Sequence, residues 1–187
     1  MLQLNFNPLT ELKTERLLLR RLKNTDAEAI FRMRSDKNVM KYIGKKPTES
    51  LEEAMEFINT INSALNIGSG ITWAITLREN PENVIGTIGY WRLIKDHFRA
   101  EVGYMLHNDY WRKGLIKEAL LKVIDFGFNE MKLHSIEAHI NPENIASAKA
   151  LESTGFIREA YFKEDFFFEG VFGDTAIYSK LKYQGAM

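Results

Sequence analysis

Cysteine is absent from the sequence, which excludes disulfides, thiolate metal sites and cysteine nucleophiles. An excess of charge of either sign is also absent, because 25 basic and 25 acidic residues give a formal net charge of +0. Such a chain has no global attraction to nucleic acid or to an anionic membrane, so any basic site must be local. We therefore expect no direct nucleic-acid partner and no membrane partner.

Long apolar runs are missing as well. No window reaches the roughly 20 apolar residues of a membrane helix, and the N-terminus has no segment of signal-peptide type. These absences predict a cytoplasmic protein. The four prolines and 12 glycines are scattered and form no linker or low-complexity segment. A length of 187 residues with 45% hydrophobic content then predicts one domain over residues 1–187.

The hydrophobic pattern predicts a strand, two helices, a three-strand meander, a helix, a strand, a helix and two final strands. This order favours an α+β or mixed α/β chain built around one sheet. The strand–helix–strand unit at 99–140 predicts a parallel crossover. Ligands in such sheets bind at the carboxyl ends of adjacent parallel strands, which here means the stretch that follows Leu106.

A basic loop occupies that stretch, in the segment WRKGLIKEAL at 111–120. It places Arg112, Lys113 and Gly114 just ahead of a predicted helix. A helix start exposes N–H groups without intrahelical partners and carries partial positive charge, and glycine allows close approach to the backbone. The pattern is typical of a phosphate site. A solvated loop that happens to be basic is the alternative.

A second polar run follows the strand at 135–140. Asn141, Asn144 and Ser147 recur at three-residue spacing. On a helix, Asn144 and Ser147 would share a face. Asn144 also suits the N-cap position, and a hydroxyl in the first turn is structurally ordinary. Both interpretations stay open from the residues alone.

Three segments, in their order and spacing, resemble the GNAT-fold N-acetyltransferases, within the group that acetylates ribosomal-protein N-termini (the RimJ/RimL type). They are EVGYML at 101–106, YWRKGLIKEAL at 110–120 and NPENIASAKALESTGF at 141–156. The resemblance covers almost the whole chain and implies one GNAT-like α+β domain with a core at about residues 14–182. It implies a central, mostly antiparallel sheet with a parallel, splayed strand pair and flanking helices.

The resemblance implies acetyl-CoA as the acetyl donor. The family's loop pattern, Gln/Arg-x-x-Gly-x-Gly/Ala, corresponds to residues 111–116, where Gly114 agrees and Trp111 and Ile116 depart. These departures bear on loop shape and affinity rather than on the fold. The implied acetyl-CoA contacts come from backbone groups of the strand end and loop, from basic side chains and from two asparagines: Met105, Leu106, Arg112, Lys113, Gly114, Ile116, Lys117, Asn141 and Asn144.

The resemblance also suggests a general acid. Many relatives use a tyrosine in the last helix to protonate the departing thiolate, and Leu151 stands at that position here. The ribosomal group instead uses a serine one turn earlier, which Ser147 matches. The resemblance therefore implies Ser147 as the acid.

The general base has two candidate locations. The ribosomal group carries a carboxylate on the penultimate strand, where Phe166 aligns, so Glu164 or Asp165 would serve only in a changed register. Glu101 is the other candidate, because an acid on the fourth strand commonly activates the amine through water in this family. A plain surface carboxylate is the alternative interpretation of Glu101.

The resemblance thus implies an acetyl-CoA-dependent N-acetyltransferase that transfers acetyl directly, without a covalent enzyme intermediate. A protein N-terminal α-amine, such as that of a ribosomal protein, is the favoured acceptor. The alternatives are a small amine (an antibiotic, polyamine or amino acid) and a non-catalytic CoA-binding sensor. The four histidines show no ligand spacing, so we expect no metal. Monomer and homodimer both remain open.

Overall fold

The computed structural model describes Leu2, Leu4, Phe6 and residues 8–183, and these fold around one sheet. Its eight strands within the described residues follow the order β1-β2-β3-β4-β5-β6-β8-β7. They are β1 (Leu12–Lys13), β2 (Leu17–Arg20), β3 (Ile71–Leu77), β4 (Asn80–Ile94), β5 (Arg99–Leu106), β6 (Ser135–Ile140), β7 (Ile157–Phe168) and β8 (Val171–Leu181). Neighbouring strands are antiparallel except β5 and β6, which are parallel. The α+β fold class is confirmed.

Five α-helices flank the sheet in the described part of the chain. They are α1 (Ala27–Ser35), α2 (Lys37–Met40), α3 (Leu51–Asn66), α4 (Leu115–Asn129) and α5 (Ile145–Glu152). Side chains cap three of them, because the oxygens of Asp36, Ser50 and Asn144 accept N–H groups in the first turns of α2, α3 and α5. None of these helices has the combination of length and apolar character that a membrane span requires.

The sheet separates two apolar clusters. The larger one packs α4 and α5 against one face and includes Trp73 and Tyr90, which are fully buried. The smaller one joins α1 and α3 to the other face and includes Met105. A buried ion pair ties β2 to the start of α1, where two Arg20 nitrogens each donate to one Asp26 oxygen at 2.8 Å. Strand β5 therefore has one face toward each cluster.

Several boundaries differ from the sequence prediction. The two-residue strand β1 and the four-residue helix α2 were not predicted, because elements this short carry no readable hydrophobic period. Strands β4 and β7 begin at Asn80 and Ile157, whereas the apolar pattern predicted starts at Val84 and Tyr161. Asn80 and Arg158, among the residues at these ends, pair through their backbones with Leu77 and Tyr178, and side-chain hydrophobicity does not report such pairing.

Candidate active site

The parallel pair β5–β6 opens toward its carboxyl end. Paired positions are Arg99 with Ser135, Ala100 with Ile136 and Glu101 with Glu137. Beyond this point β5 continues to Leu106 and β6 to Ile140 without pairing to each other. Helix α4 follows β5, and α5 follows β6, so the amino ends of both helices border the opening.

Backbone groups of β5 line this opening at alternate residues. The His107 N–H donates to the Ile85 carbonyl of β4 at 2.8 Å. By antiparallel alternation, the backbone groups of Met105 also point to β4, and those of Tyr104 and Leu106 point to the opening. Of the two residues predicted to contact acetyl-CoA through their backbones, Leu106 therefore has its N–H group on the side of the opening. Met105 contributes its buried side chain to the smaller apolar cluster.

The loop between β5 and α4 presents a run of free backbone donors. Among the described residues, the N–H groups of residues 112–117 donate no hydrogen bond to a protein acceptor. Arg112 and Gly114 have left-handed backbones, with φ of 60° and 73°. Alternating backbone hands turn successive N–H groups into one concavity, which suits an anion. Arg112, Lys113 and Lys117 are exposed around it, so the loop has the donors and charge that a pyrophosphate needs.

The loop is anchored to the N-terminal part of the chain. The Arg16 guanidinium donates to the Lys113 carbonyl at 3.0 Å and pairs with Glu118 at 2.7 Å. Glu118 also accepts from the Thr14 hydroxyl at 2.5 Å and from the Arg16 backbone N–H at 2.9 Å. Arg16 therefore offsets the one acidic side chain in the first turn of α4, where a carboxylate would otherwise repel an anion.

Both departures from the family's loop pattern have structural roles. The Trp111 indole Nε1 donates to the Leu106 carbonyl at 2.8 Å and so ties the loop to the end of β5. Ile116 is half-buried and packs against the larger apolar cluster. The family's pattern has a polar Gln or Arg where Trp111 stands. Here the indole N–H provides the hydrogen bond that holds the loop.

The polar run after β6 is folded into a turn and a helix cap. The Asn141 Oδ1 accepts the Glu143 N–H at 2.8 Å, and the Asn144 Oδ1 accepts the Ser147 N–H at 3.1 Å. The N-cap interpretation of Asn144 is confirmed. The amide nitrogens of both side chains remain as donors, so these residues can still donate hydrogen bonds to a ligand through their NH₂ groups.

Ser147 is buried and forms a hydrogen bond that sequence reasoning missed. Its Oγ lies 2.7 Å from the Tyr104 hydroxyl, across the opening between β5 and α5. Burial raises the pKa of the Tyr104 phenol to about 12, and the hydrogen bond with Ser147 opposes that shift. The phenol therefore keeps its proton at neutral pH. Nothing in the sequence spacing joins Tyr104 to a residue 43 positions away.

Glu101 lies on the opposite face of β5 and is 4% exposed. Burial raises the pKa of its carboxyl to about 7, Arg92 opposes the shift at an N–O distance of 3.5 Å, and Glu137 adds to it. A carboxyl that gains and loses its proton near neutrality can accept a proton from an amine. The surface-carboxylate interpretation does not fit this burial.

Glu137 and His139 join Glu101 in a cluster whose facing ligand atoms lie within 4.8 Å of one another. Burial lowers the pKa of His139, although Glu137 opposes this. The positive charge in the cluster comes from two arginines, since Arg99 also pairs with Glu137 at 3.3 Å. The period-two spacing of Glu137 and His139 on β6 was the available sequence signal for this cluster.

The penultimate strand offers no comparable carboxylate. Phe166, Glu164 and Asp165 are all exposed. The register does shift there, because β7 bulges between Phe162 and Phe166 and Asp174 of β8 accepts the Glu164 N–H at 2.9 Å. The shift leaves both acidic side chains in solvent, so geometry favours Glu101 as the base.

Comparison with known proteins identifies the same architecture. Residues 16–157 match the family model described as "Acetyltransferase (GNAT) domain". The N-acetyltransferase YoaA of Bacillus subtilis is 37% identical over 171 residues, covering 91% of this chain and 96% of YoaA. The N-acetyltransferase p20 of Bacillus licheniformis is 36% identical over 175 residues, covering 94% and 98%. The spermidine N(1)-acetyltransferase of Vibrio cholerae is 26% identical over 159 residues, covering 85% and 89%.

Solved structures agree. A GNAT-family acetyltransferase from Bacillus anthracis is similar with a TM-score of 0.81 at 33% identity, covering 92% of this chain and 98% of that one. RimL, a ribosomal α-N-protein acetyltransferase solved with coenzyme A, has a TM-score of 0.82 at 15% identity, covering 92% and 98%. At that identity the likeness to RimL shows the fold.

Proposed function

Because the chain belongs to the acetyltransferase (GNAT) family, we propose that it transfers acetyl from acetyl-CoA directly to an amine held between Glu101 and Ser147. The observation that carries this proposal is that the two side chains flank the β5–β6 opening from opposite faces of the sheet. Glu101 alternates with Tyr104 along β5, and Tyr104 holds Ser147. A base on one face and an acid on the other suit direct transfer, because the amine can attack the thioester from one side while the CoA thiolate leaves on the other.

The loop at 111–117 would hold the pyrophosphate of acetyl-CoA. Its free N–H groups, its two left-handed residues and its three exposed cations support this assignment. The Leu106 N–H faces the opening, where a fixed donor can stabilise negative charge on the thioester oxygen during attack. Asn141 and Asn144, which lie between β6 and α5, offer side-chain NH₂ groups on that side of the opening. The buried Met105 side chain packs in the smaller apolar cluster and so supports β5.

Glu101 would take the amine proton as the N–C bond forms. With a pKa of about 7, the carboxyl is ionised over the range in which an α-amine, of pKa about 7.7–8.0, begins to lose its proton. As the C–S bond breaks, Ser147 would give its proton to the sulfur. Water then restores the proton of Ser147 and removes the one on Glu101, so protons balance over the cycle.

A protein N-terminal α-amine, of the kind acetylated by the RimJ/RimL group, is the acceptor we propose first. The match between the pKa of Glu101 and that of an α-amine supports it, because a lysine side chain, with a pKa of about 10.4, gives far less neutral amine at the same pH. A polyamine is the second candidate. The buried carboxylates of Glu101 and Glu137 would attract a second amino group, and the similar spermidine acetyltransferase acts on a polyamine.

Acetylation of an amine panel tests these proposals. The enzyme is mixed with acetyl-CoA and either peptides with free N-termini or spermidine, and free thiol and acetylated product are both measured. Equal amounts of thiol and acetyl-peptide support the first acceptor, and acetyl-spermidine supports the second. CoA binding without thiol release from any acceptor would contradict catalysis and leave the CoA-binding sensor. Mass spectrometry then locates the acetyl group.

A further inference from the structure

We propose that Tyr104 is a positioning residue that donates its phenol proton to the Ser147 Oγ and thereby frees the Ser147 proton to face the β5–β6 opening. The inference rests on the proposed role of Ser147 as the acid. It concerns this chain's own hydroxyl pair, which joins β5 to α5 on the face opposite Glu101.

The hydroxyl of Ser147 has one proton, so its direction decides whether it can act as an acid. If Ser147 donated to Tyr104, that proton would be committed to the phenol and turned away from any ligand. The Ser147 Oγ has no other hydrogen-bond partner among the described residues, although a first-turn serine commonly bonds to nearby backbone. Its orientation therefore depends on Tyr104.

Two acceptors compete for the Tyr104 proton. The Ser147 Oγ lies at 2.7 Å, and the backbone carbonyl of the same residue lies at 3.4 Å. The shorter contact has the usual distance of a hydroxyl–hydroxyl hydrogen bond, whereas the longer one is weak. The raised pKa keeps the phenol protonated, so it remains a donor throughout the reaction. Tyr104 transfers no proton, since its acidity is too low. It stabilises the negative charge that develops on Ser147 as the S–H bond forms.

A double-mutant cycle measures this dependence. Tyr104→Phe keeps the ring and removes the hydroxyl, and it should lower kcat about 10-fold with an unchanged KM for acetyl-CoA. In the Ser147→Ala background the same change should cost nothing further, because the hydroxyl that it orients is gone. Tyr90→Phe is the matched control, since the Tyr90 hydroxyl donates to the Val123 carbonyl in the core. It should lower thermal stability without coupling to Ser147→Ala.

A second readout needs neither acceptor nor acetyl-CoA. In protein labelled with ¹³Cζ-tyrosine, the Tyr104 resonance should move in Ser147→Ala and stay in place in Ser153→Ala, whose hydroxyl bonds to the Ala150 carbonyl. This comparison tests the hydrogen bond between the two hydroxyls even where Tyr104→Phe does not fold.

Each outcome has one meaning. Equal losses from Tyr104→Phe in both backgrounds, or an unmoved Tyr104 resonance, would overturn the positioning role. An impaired Ser147→Ala beside a fully active Tyr104→Phe would overturn this inference and leave the proposed acid intact. A fully active Ser147→Ala would remove both.

Discussion

Glu101 lies directly opposite Glu137 in the parallel register of β5 and β6, at the last paired position before the strands separate. Both carboxylates are buried, and each has an arginine partner at the rim, Arg92 for Glu101 and Arg99 for Glu137. Burial raises the pKa of Glu101 to about 7, because the nearby Arg92 guanidinium offsets the effect of burial only in part. The apex of the opening therefore holds a carboxyl that changes charge near neutral pH.

The buried Glu101 should make the protein less stable above about pH 7 than near pH 4.5. Its folded pKa, about 7, exceeds the ordinary value of 4.5, so the folded state holds an extra proton between these values. Stability then falls as pH rises through that window, by about 3 kcal/mol in total. Glu101→Gln does not titrate, so it should melt above wild type at pH 8 and lose that advantage toward pH 4.5. Thermal melting measures this. A constant difference at every pH would contradict it, and Glu169→Gln at the exposed hairpin turn is the control.

Gly114→Asp should weaken CoA binding about 10-fold or more, because a carboxylate would enter the concavity made by the free N–H groups. The left-handed backbone adds strain of about 1–2 kcal/mol for a residue with Cβ. Gly170→Asp carries the same strain at φ of 84°, in open space on the β7–β8 hairpin. Calorimetry should show normal CoA affinity for this control. Unchanged affinity in folded Gly114→Asp would remove the loop from the binding site.

Trp111→Phe should raise the KM for acetyl-CoA about three- to tenfold, which corresponds to the loss of one hydrogen bond to the Leu106 carbonyl. The phenyl ring keeps an aromatic side chain at this exposed position, so the melting temperature should change little. Trp91→Phe is the matched control, because that indole lies against Gly103 on the face of β5 that carries Glu101. Steady-state kinetics with acetyl-CoA varied separate the two variants. Equal KM values for both would show that the indole N–H does not hold the loop.

Ser147→Ala should reduce turnover at saturating acetyl-CoA by about 10²–10⁴-fold, as expected for loss of a positioned general acid. The backbone N–H that Asn144 caps is retained and alanine favours the helix, so the protein should still fold. Loss of the hydrogen bond to the Tyr104 hydroxyl should lower its stability by about 1 kcal/mol. Ser153→Ala near the end of α5 is the control and should remain active. A normally folded, fully active Ser147→Ala would mean that water protonates the sulfur.

The sequence predicted those parts of the site that follow from one segment at a time. Simple alternation along β5 puts Glu101 and Met105 on one face and Tyr104 on the other, and the structure has this arrangement. The start of α4 after Gly114 and the capping of α5 by Asn144 are likewise local, because a cap is a contact between neighbours in the chain.

Contacts between distant segments were beyond such reasoning. The pairing of Tyr104 with Ser147 depends on where α5 docks against the sheet. The meeting of Glu101 with Glu137 depends on a register between parallel strands, and a register shifted by one residue would turn one carboxylate to the other face. The hydrogen bond from Trp111 to the Leu106 carbonyl was not predicted, because the family's pattern has a polar residue of different shape at this position.

The pH dependence of acetyl transfer, in wild type and in Glu101→Gln with acetyl-CoA and acceptor saturating, tests the central claim most directly. The wild-type rate should rise as pH passes about 7, where the Glu101 carboxyl loses its proton. Glu101→Gln should turn over about 10²–10⁴-fold more slowly and lack that rise, with unchanged CoA affinity. Mutant and wild-type profiles of the same shape and height would contradict Glu101 as the base.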